Sequence, residues 1–277
     1  MNRRAVVAIA RKDIKSITAN IQVWLPMLIL PIVFSVLLPA VVVLSARASQ
    51  GDTAQFMQVI SGMLERLPES SLTRIISSFE TDQQKVAYMM LNYFLSPFFL
   101  MIPLMAASTV SIDSFVGEKE RGTFEGLLLT PVSMRSIFTA KVLAAFLPAI
   151  VVSLVSFVLF AICANVLTWP IFGRISFPHI NWAPLVLLVM PAISVFAILT
   201  NVFISARVTT FQAGYQLGAL LALPLVAIMI GQFTGFMLLD TRVLLAVGII
   251  LSILDYVLLR IIVRKLDRAW LFESQVR

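Results

Sequence analysis

Apolar positions fill this chain in long runs that contain no Asp, Glu, Lys or Arg. Five of these runs exceed the roughly 20 residues that a helix needs to cross a bilayer, and a sixth, over residues 243–254, reaches that length with its flanks. The runs are too evenly apolar for barrel strands, whose side chains alternate every second residue. We therefore predict an all-α membrane protein with six transmembrane helices, over residues 23–44, 88–112, 142–166, 183–205, 213–230 and 243–263.

Composition agrees with this class of protein. Apolar residues make up 60% of the 277 residues, charged residues only 13%, and the mean hydropathy is +0.97. A soluble domain carries about 25% charged residues. Lipid is therefore expected to be the solvent for most of the chain.

The distribution of cations predicts the topology. If the N-terminus lies inside, 15 of the 21 Lys and Arg residues fall on the cytoplasmic side, which satisfies the positive-inside rule with both termini cytoplasmic. The net charge of +7 then reflects this asymmetry and attraction to anionic lipid headgroups. No nucleic-acid partner is expected.

Residues 1–22 have the pattern of an interfacial amphipathic helix. Apolar residues recur at spacings of three and four, and cations occupy the other positions. We predict that the apolar face lies among acyl chains and the cations near the headgroups, either as a membrane anchor or as a lever that touches a cytoplasmic partner. The apolar positions are Val6, Ala10, Ile14, Ile17 and Ile21, and the cations are Arg3, Arg4, Arg11, Lys12 and Lys15.

The segment 46–87 between the first two spans is too long for a simple turn. Its apolar periodicity predicts two short amphipathic helices, interrupted at Pro68, in an external loop. The apolar positions are Phe56, Ile60, Met63, Leu67, Leu72, Ile75, Ile76 and Phe79.

Catalytic and metal-binding residues are scarce. The only histidine, His179, lies in a predicted external loop without a Cys, Asp or Glu at ligand spacing, and the only cysteine, Cys163, lies inside the third span. We predict no catalytic site, no metal site and no cofactor in this chain. Gly214 and Gly218 form a small-xxx-small pair, which predicts a close approach of the fifth span to another helix.

Asp255 is the one acid well inside an apolar run. It would pair with another helix, line a wet cavity, or lie near the interface because the sixth span ends early, near Leu259. The last interpretation is favoured. Arg260 lies about 140° around the helix and is a poor partner for it.

The densest charge cluster lies between the second and third spans, in segment 113–141. Thr123 is placed to cap a short helix whose apolar face is Phe124, Leu127 and Leu128, and Pro131 ends it. Such a helix would fit a groove on another protein. A solvated connector that rests on lipid is the alternative.

This segment resembles the loop after the second span in permease subunits of ABC type-2 exporters, including sodium- and drug-efflux permeases. The match runs over Glu118, Lys119, Glu120, Arg121, Gly122, Thr123, Glu125, Leu127, Leu128, Thr130 and Pro131. Sodium-efflux members often have a much larger external domain than the roughly 40 residues present here.

The resemblance implies one transmembrane domain over residues 1–277, with an elbow helix at 1–22, a coupling loop at 113–141 and a cytoplasmic tail at 264–277. It implies that a coupling helix docks onto a separate ATP-binding subunit, which would hold ATP and Mg, and that two permease subunits pair as a homodimer or heterodimer. The implied coupling residues are Glu118, Lys119, Glu120, Arg121, Gly122, Thr123, Phe124, Glu125, Leu127, Leu128 and Pro131.

Two other functions stay open at this point: a secondary transporter, and a non-transporting assembly or signalling protein that recruits a cytoplasmic ATPase. The spans are mostly aliphatic, which suits an amphipathic or hydrophobic solute better than a bare ion. Polar candidates for lining a path are Asn92, Tyr93, Asn201, Gln212, Gln216 and Asp255.

Overall fold

A computed structural model describes residues 3–48, 57–58, 60–62, 71–234 and 238–265, and the regular structure in these ranges is helical. Their all-α character confirms the predicted fold class. The helices are α1 (Arg3–Ala19), α2 (Ile21–Ile32, Val33–Leu37 and Leu38–Ala48 in succession), α3 (Ser71–Ser77), α4 (Asp82–Glu120), α5 (Thr123–Leu128), α6 (Met134–Phe172), α7 (Trp182–Ser205), α8 (Phe211–Phe233) and α9 (Thr241–Lys265).

Six of these helices, α2, α4, α6, α7, α8 and α9, are long and apolar enough to cross a membrane, as predicted. Two of them are much longer than their predicted 25 residues, since α4 and α6 have 39 residues each. At 1.5 Å per residue this is about 58 Å, against a hydrocarbon thickness of about 30 Å. Residues 113–120 and 134–141, predicted as loop, are therefore helical extensions. Charge-free runs mark only the part that crosses hydrocarbon.

The core of the bundle is α4. Its most apolar window is 83% buried, whereas the corresponding windows of α8 and α9 are 17% buried. It packs against α2, α6, α7 and α8. The predicted close approach of α8 is confirmed, because a Cβ on Gly214 or Gly218 would lie within 3.0 Å of the Ile112 side chain on α4.

Four π-helical turns interrupt the spans. Two follow a proline, at Pro31 in α2 and at Pro184 in the first turn of α7. Pro31 lies inside its helix, where the missing backbone donor disturbs the α-helical ladder. The other two are in α4, at Met90–Phe94 and Asp113–Gly117. An inserted residue rotates the side chains that follow it, and both turns of α4 carry buried polar groups.

The N-terminal helix α1 is amphipathic as predicted, but its apolar face packs on protein. Val6, Ile9 and Ala10 form a buried cluster with Met134 and Ile137 at the start of α6. The expectation that this face lies among acyl chains is therefore wrong. The apolar face of α1 is covered by the first turns of α6, which extend beyond the hydrocarbon, and not by lipid.

Helix α3 confirms the second of the two helices predicted in segment 46–87. Leu72, Ile76 and Phe79 are buried against the beginning of α4, around Tyr88. Of the first predicted helix, only residues 57–58 and 60–62 are described, and they are helical. Pro68 and residues 266–277 of the predicted tail lie outside the described residues.

Candidate functional site

A network of buried ion pairs joins α1, α4 and α6 near segment 113–141. We call Lys12, Asp13, Ser114, Glu118 and Lys141 the charged cluster, and this end of the bundle the charged end. The two carboxylate oxygens of Glu118 receive hydrogen bonds of 2.5 Å each, one from Lys12 Nζ and one from Lys141 Nζ. Glu118 thus ties α4 to α1 and α6 at once.

Lys141 lies at the centre of the charged cluster and is fully buried. Its ammonium donates to the backbone carbonyl of Ser114 at 2.6 Å and to Ser114 Oγ at 3.1 Å, and lies 3.5 Å from Asp13 Oδ2. The Ser114 hydroxyl donates to the same Asp13 oxygen at 3.0 Å. A buried charge is tolerated when its hydrogen-bonding positions are satisfied in this way. The cluster contains two cations and two anions.

Lys12 is the most exposed member, with 55% of its side chain accessible. Burial lowers the pKa of its ammonium, but the hydrogen bond and charge of Glu118, together with the charge of Asp13, raise it by more. The pKa therefore lies above its ordinary value of 10.5. Lys12 stays charged through neutral and mildly alkaline pH.

A second ion pair adjoins the cluster. Arg121 Nη1 donates to Asp113 Oδ1 at 3.0 Å, and the Asn20 amide donates to the same oxygen at 3.4 Å. The pair crosses over Gly117, where a Cβ would lie 2.8 Å from the Asp113 oxygen and 3.1 Å from Arg121 Nη1. Glycine at this position is therefore required by the ion pair.

Glu120 links the segment to the fifth span. Its Oε2 accepts a 2.6 Å hydrogen bond from the backbone N–H of Phe211, the first residue of α8. The Thr210 side chain caps the same helix by accepting from a later N–H. A carboxylate is favourable at a helix N-terminus because unpaired N–H groups carry partial positive charge there. Movement of segment 113–141 is thereby connected to α8.

The chain reverses direction at Gly122, whose φ of 66° lies in the left-handed region that favours glycine. Helix α5 follows, and the Thr123 hydroxyl donates to the Glu118 carbonyl at 3.2 Å across the turn. Leu127 packs against the apolar cluster of α1 and α6. Leu129, just after α5, is 83% exposed. We call residues 122–131 the tip.

The predicted coupling residues thus occupy two different environments. Glu118 is inside the bundle, whereas Glu120, Arg121, Gly122, Thr123 and Pro131 are exposed, and Lys119 is half-buried. The side chains of Phe124, Glu125 and Leu128 lie outside the described structure. Glu118 is therefore placed to hold the segment to the bundle, and the tip to present a surface.

The opposite end of α4 is held by neutral groups. In the π-helical turn, the Asn92 side chain donates to the Tyr88 and Ser176 carbonyls at 3.2 and 3.3 Å and accepts from the His179 backbone N–H at 2.9 Å. Asn181 Nδ2 and Trp182 Nε1 both donate to the Asn92 carbonyl. We call this the amide end.

The predicted path-lining residues Asn92 and Tyr93 are both buried at the amide end. Tyr93 Oη lies 3.3 Å from His179 Nδ1, so it also contacts the 173–181 loop. Burial lowers the pKa of the half-buried His179, an effect that a hydrogen bond with Asn181 partly opposes. Asn92 also donates to the Tyr88 carbonyl of its own helix, and the Tyr93 carbonyl accepts from the Gln232 amide on α8 at 3.4 Å.

The other path candidates divide by exposure. Asn201 is fully buried on α7 and donates to Ser111 Oγ on α4 at 2.9 Å. Gln212 and Gln216, four residues apart on α8, are exposed. They share one face of a spanning helix that the described residues leave uncovered.

Asp255 is buried, and its Oδ1 has no hydrogen-bond partner among the described residues. Helix α9 continues to Lys265, so it does not end near Leu259. Arg260 stacks over the Tyr256 ring at 4.7 Å and forms no ion pair with Asp255 in the described structure.

Sequence reasoning missed the internal half of the site. The sequence pattern places Lys12 and Asp13 only in an amphipathic helix, and Lys141 only at the end of a loop. One signal does point to Lys141, since a single cation between apolar residues at the start of a span requires a partner. The pattern does not single out Leu129 from Leu127 and Leu128, because apolarity alone does not reveal which leucine faces outward.

Six apolar helices, of which α2, α6, α7 and α8 pack against α4, define a multi-pass helical membrane protein. A family model described as ABC-2 family transporter protein matches residues 7–259. The chain therefore belongs to the ABC-2 transporter family, a family of membrane components of transporters, and the predicted resemblance is confirmed. No curated protein and no solved structure matches the chain.

Proposed function

We propose that this chain is the permease subunit of an ATP-driven exporter and that its tip docks onto a separate ATP-binding subunit. The observation that carries the proposal is that the tip is exposed while the helix leading into it is held firmly to the bundle. Leu129 is 83% exposed, while the helix leading into the tip is fixed by Glu118 to both Lys12 and Lys141. A force applied to the tip would reach α1, α4 and α6 together.

The distribution of Lys and Arg supports a cytoplasmic position for the charged end and for both termini. In this orientation the tip faces the compartment that contains ATP. The ATP-binding subunit would hold ATP and Mg, and this chain would supply no catalytic group. The bond from Glu120 to the first turn of α8 would pass movement of the tip to the fifth span.

Transport would use a pair of permease subunits. Gln212 and Gln216 are exposed on a spanning helix, and amide side chains facing lipid are unfavourable unless another helix or water satisfies them. A second permease subunit, or a wet path between two subunits, would satisfy both. This face of α8 is the part of the chain that we assign to the subunit interface and translocation path.

Substitution at Leu129 tests the docking proposal. Leu129→Asp should abolish stimulation of ATP hydrolysis when the permease is reconstituted with its ATP-binding subunit, because an apolar contact is replaced by a charge. The thermal midpoint should be unchanged, since the side chain is exposed. Ile175→Asp is the matched control, because Ile175 is 74% exposed in the loop at the amide end.

Full stimulation by Leu129→Asp, or an equal loss in Ile175→Asp, would contradict docking through the tip. Glu118→Lys is a less informative variant. It would place three cations, Lys12, Lys141 and the new lysine, within one buried cluster, so any loss of coupling would be mixed with loss of folding.

A further inference from the structure

Helix α1 carries its arginines on the side turned away from the bundle. Arg3, Arg4 and Arg11 are exposed there, and with Val7 and neighbouring side chains they line a shallow groove of about 790 Å³. We propose that this surface, which we call the arginine face, binds the phosphates of anionic phospholipid headgroups.

The charge on the arginine face is not neutralised within the described chain. The only acid of α1, Asp13, is buried on the opposite side, in the charged cluster. Lys12 is held by Glu118, whereas Arg3, Arg4 and Arg11 form no ion pair with a described residue. Guanidinium groups donate two parallel hydrogen bonds to a phosphate, which makes arginine well suited to this ligand.

The position of α1 along the chain places this face at headgroup level. Only Asn20 separates α1 from α2, so the end of α1 lies where the chain enters the bilayer. The residues that follow continue as an exposed apolar surface, with Ile21 58%, Leu25 41% and Leu28 49% accessible. Lipid that contacts these residues has its headgroups beside the last turns of α1.

The groove itself favours a lipid over an acidic protein. Val7 is 65% exposed among the arginines, and an apolar side chain in this position can contact the glycerol and acyl part of a phospholipid while the arginines hold its phosphate. The apolar face of α1 is already buried against α6, so it is not available for lipid. The arginine face is the surface through which α1 meets the membrane.

Native mass spectrometry of the full chain in detergent micelles tests this proposal. The probes are phosphatidylglycerol and phosphatidylcholine with identical acyl chains, and glycerol phosphate as a phosphate without acyl chains. The wild type should bind phosphatidylglycerol in preference to phosphatidylcholine. The R3Q/R4Q/R11Q variant should bind phosphatidylglycerol at least about tenfold more weakly, because each cation removed lowers the affinity several-fold. R3K/R4K/R11K should keep part of the binding, since the charge remains.

The control variant is R74Q/R174Q/R242Q, which removes three exposed arginines elsewhere and the same total charge. Unchanged phosphatidylglycerol binding by R3Q/R4Q/R11Q, or an equal loss in the control, would overturn the proposal. Competition by glycerol phosphate at equal concentration would assign the site to free phosphate instead. If R3Q/R4Q/R11Q keeps its lipid but loses the ATP-binding subunit, the face docks a protein and the lipid assignment fails.

Discussion

The two ends of α4 are fixed by opposite kinds of chemistry. At the charged end, Glu118 and Lys141 form a buried pair at 2.5 Å that joins three helices. At the amide end, Asn92 bonds to backbone groups of its own helix and of the 173–181 loop without any formal charge. Both networks are buried and both occupy a π-helical turn or its edge.

This difference bears on which end can move. The amide network joins α4 to the 173–181 loop and to Trp182 at the start of α7, and the bonds to the loop are lost if that loop shifts. The charged cluster joins α4 to two other helices, so α1, α4 and α6 can move together without breaking it. We infer that the charged end transmits motion as a unit and that the amide end holds α4 against its neighbouring loop.

The largest expected effect is that of Lys141→Met. It leaves the carboxylates of Glu118 and Asp13 buried beside a single, half-exposed cation, at a cost of about 3–5 kcal/mol in folding free energy. The thermal midpoint in detergent should fall by on the order of 10 °C. Arg135→Met, at an exposed position earlier on the same helix, is the control and should change the midpoint little.

A double variant sharpens this prediction. Glu118→Gln combined with Lys141→Met should lose less stability than the sum of the two single variants, because it removes an anion together with its cation. Strict additivity of the two losses would show that the pair is not coupled, contrary to the 2.5 Å contact.

Asn92→Ala tests the amide end and should have the next largest effect. It leaves the Ser176 carbonyl and the His179 N–H without their partner, at a cost of about 2 kcal/mol. The loop at 173–181 should then become accessible to a protease in detergent, while the charged end keeps its protection. Asn165→Ala is a useful comparison, since its amide accepts from the Ser176 and Phe177 N–H groups of the same loop. Loss of protection at the charged end instead would contradict the division into two networks.

Gly117→Ala should have a smaller effect on stability, about 1–2 kcal/mol, because its Cβ would overlap the Asp113 and Arg121 side chains. Its effect on stimulated ATP hydrolysis should be larger than its effect on the thermal midpoint. Gly62→Ala, outside the tip, is the matched control, since a Cβ there meets no atom within 4 Å. Equal behaviour of the two variants would show that the second ion pair does not position the segment.

The smallest predicted effects concern pH and have opposite signs at the two ends. Burial depresses the pKa of His179 in the folded chain, so its contribution to stability is present above about pH 6.5 and is lost as pH falls. The Lys12 pKa is raised, so its contribution is present below about pH 10.5 and is lost as pH rises further.

Thermal midpoints measured across pH separate these contributions. His179→Gln should flatten the decline in stability below pH 6.5 and leave the alkaline side unchanged. Lys12→Gln should flatten the decline above pH 10.5 and leave the acid side unchanged. A change in the alkaline decline caused by His179→Gln, or in the acid decline caused by Lys12→Gln, would contradict this assignment.

How far the sequence predicts this structure depends on the range of the interaction involved. The six spans follow from charge-free runs, because crossing hydrocarbon is a local requirement of each segment. The site does not follow in this way. Lys12 and Glu118 are 106 residues apart, so their contact cannot be recognised from either position alone.

The path candidates show the same limit. Asn92 and Gln216 are both amides within predicted spans, yet the first is buried in a backbone network and the second is exposed. Only the packing of the other helices distinguishes the two. Gly117 is a similar case, because its requirement for glycine comes from the ion pair that passes over it.

Cross-linking at the tip tests the central claim most directly. A chain with Cys163→Ser and Leu129→Cys would be reconstituted with the ATP-binding subunit and treated with a short thiol-to-amine cross-linker. The control is a chain with Cys163→Ser and Ile175→Cys. We expect Leu129→Cys to form a covalent adduct with the ATP-binding subunit and Ile175→Cys to form none. An adduct from Ile175→Cys alone, or no adduct from Leu129→Cys in a complex that hydrolyses ATP under permease control, would contradict docking through the tip.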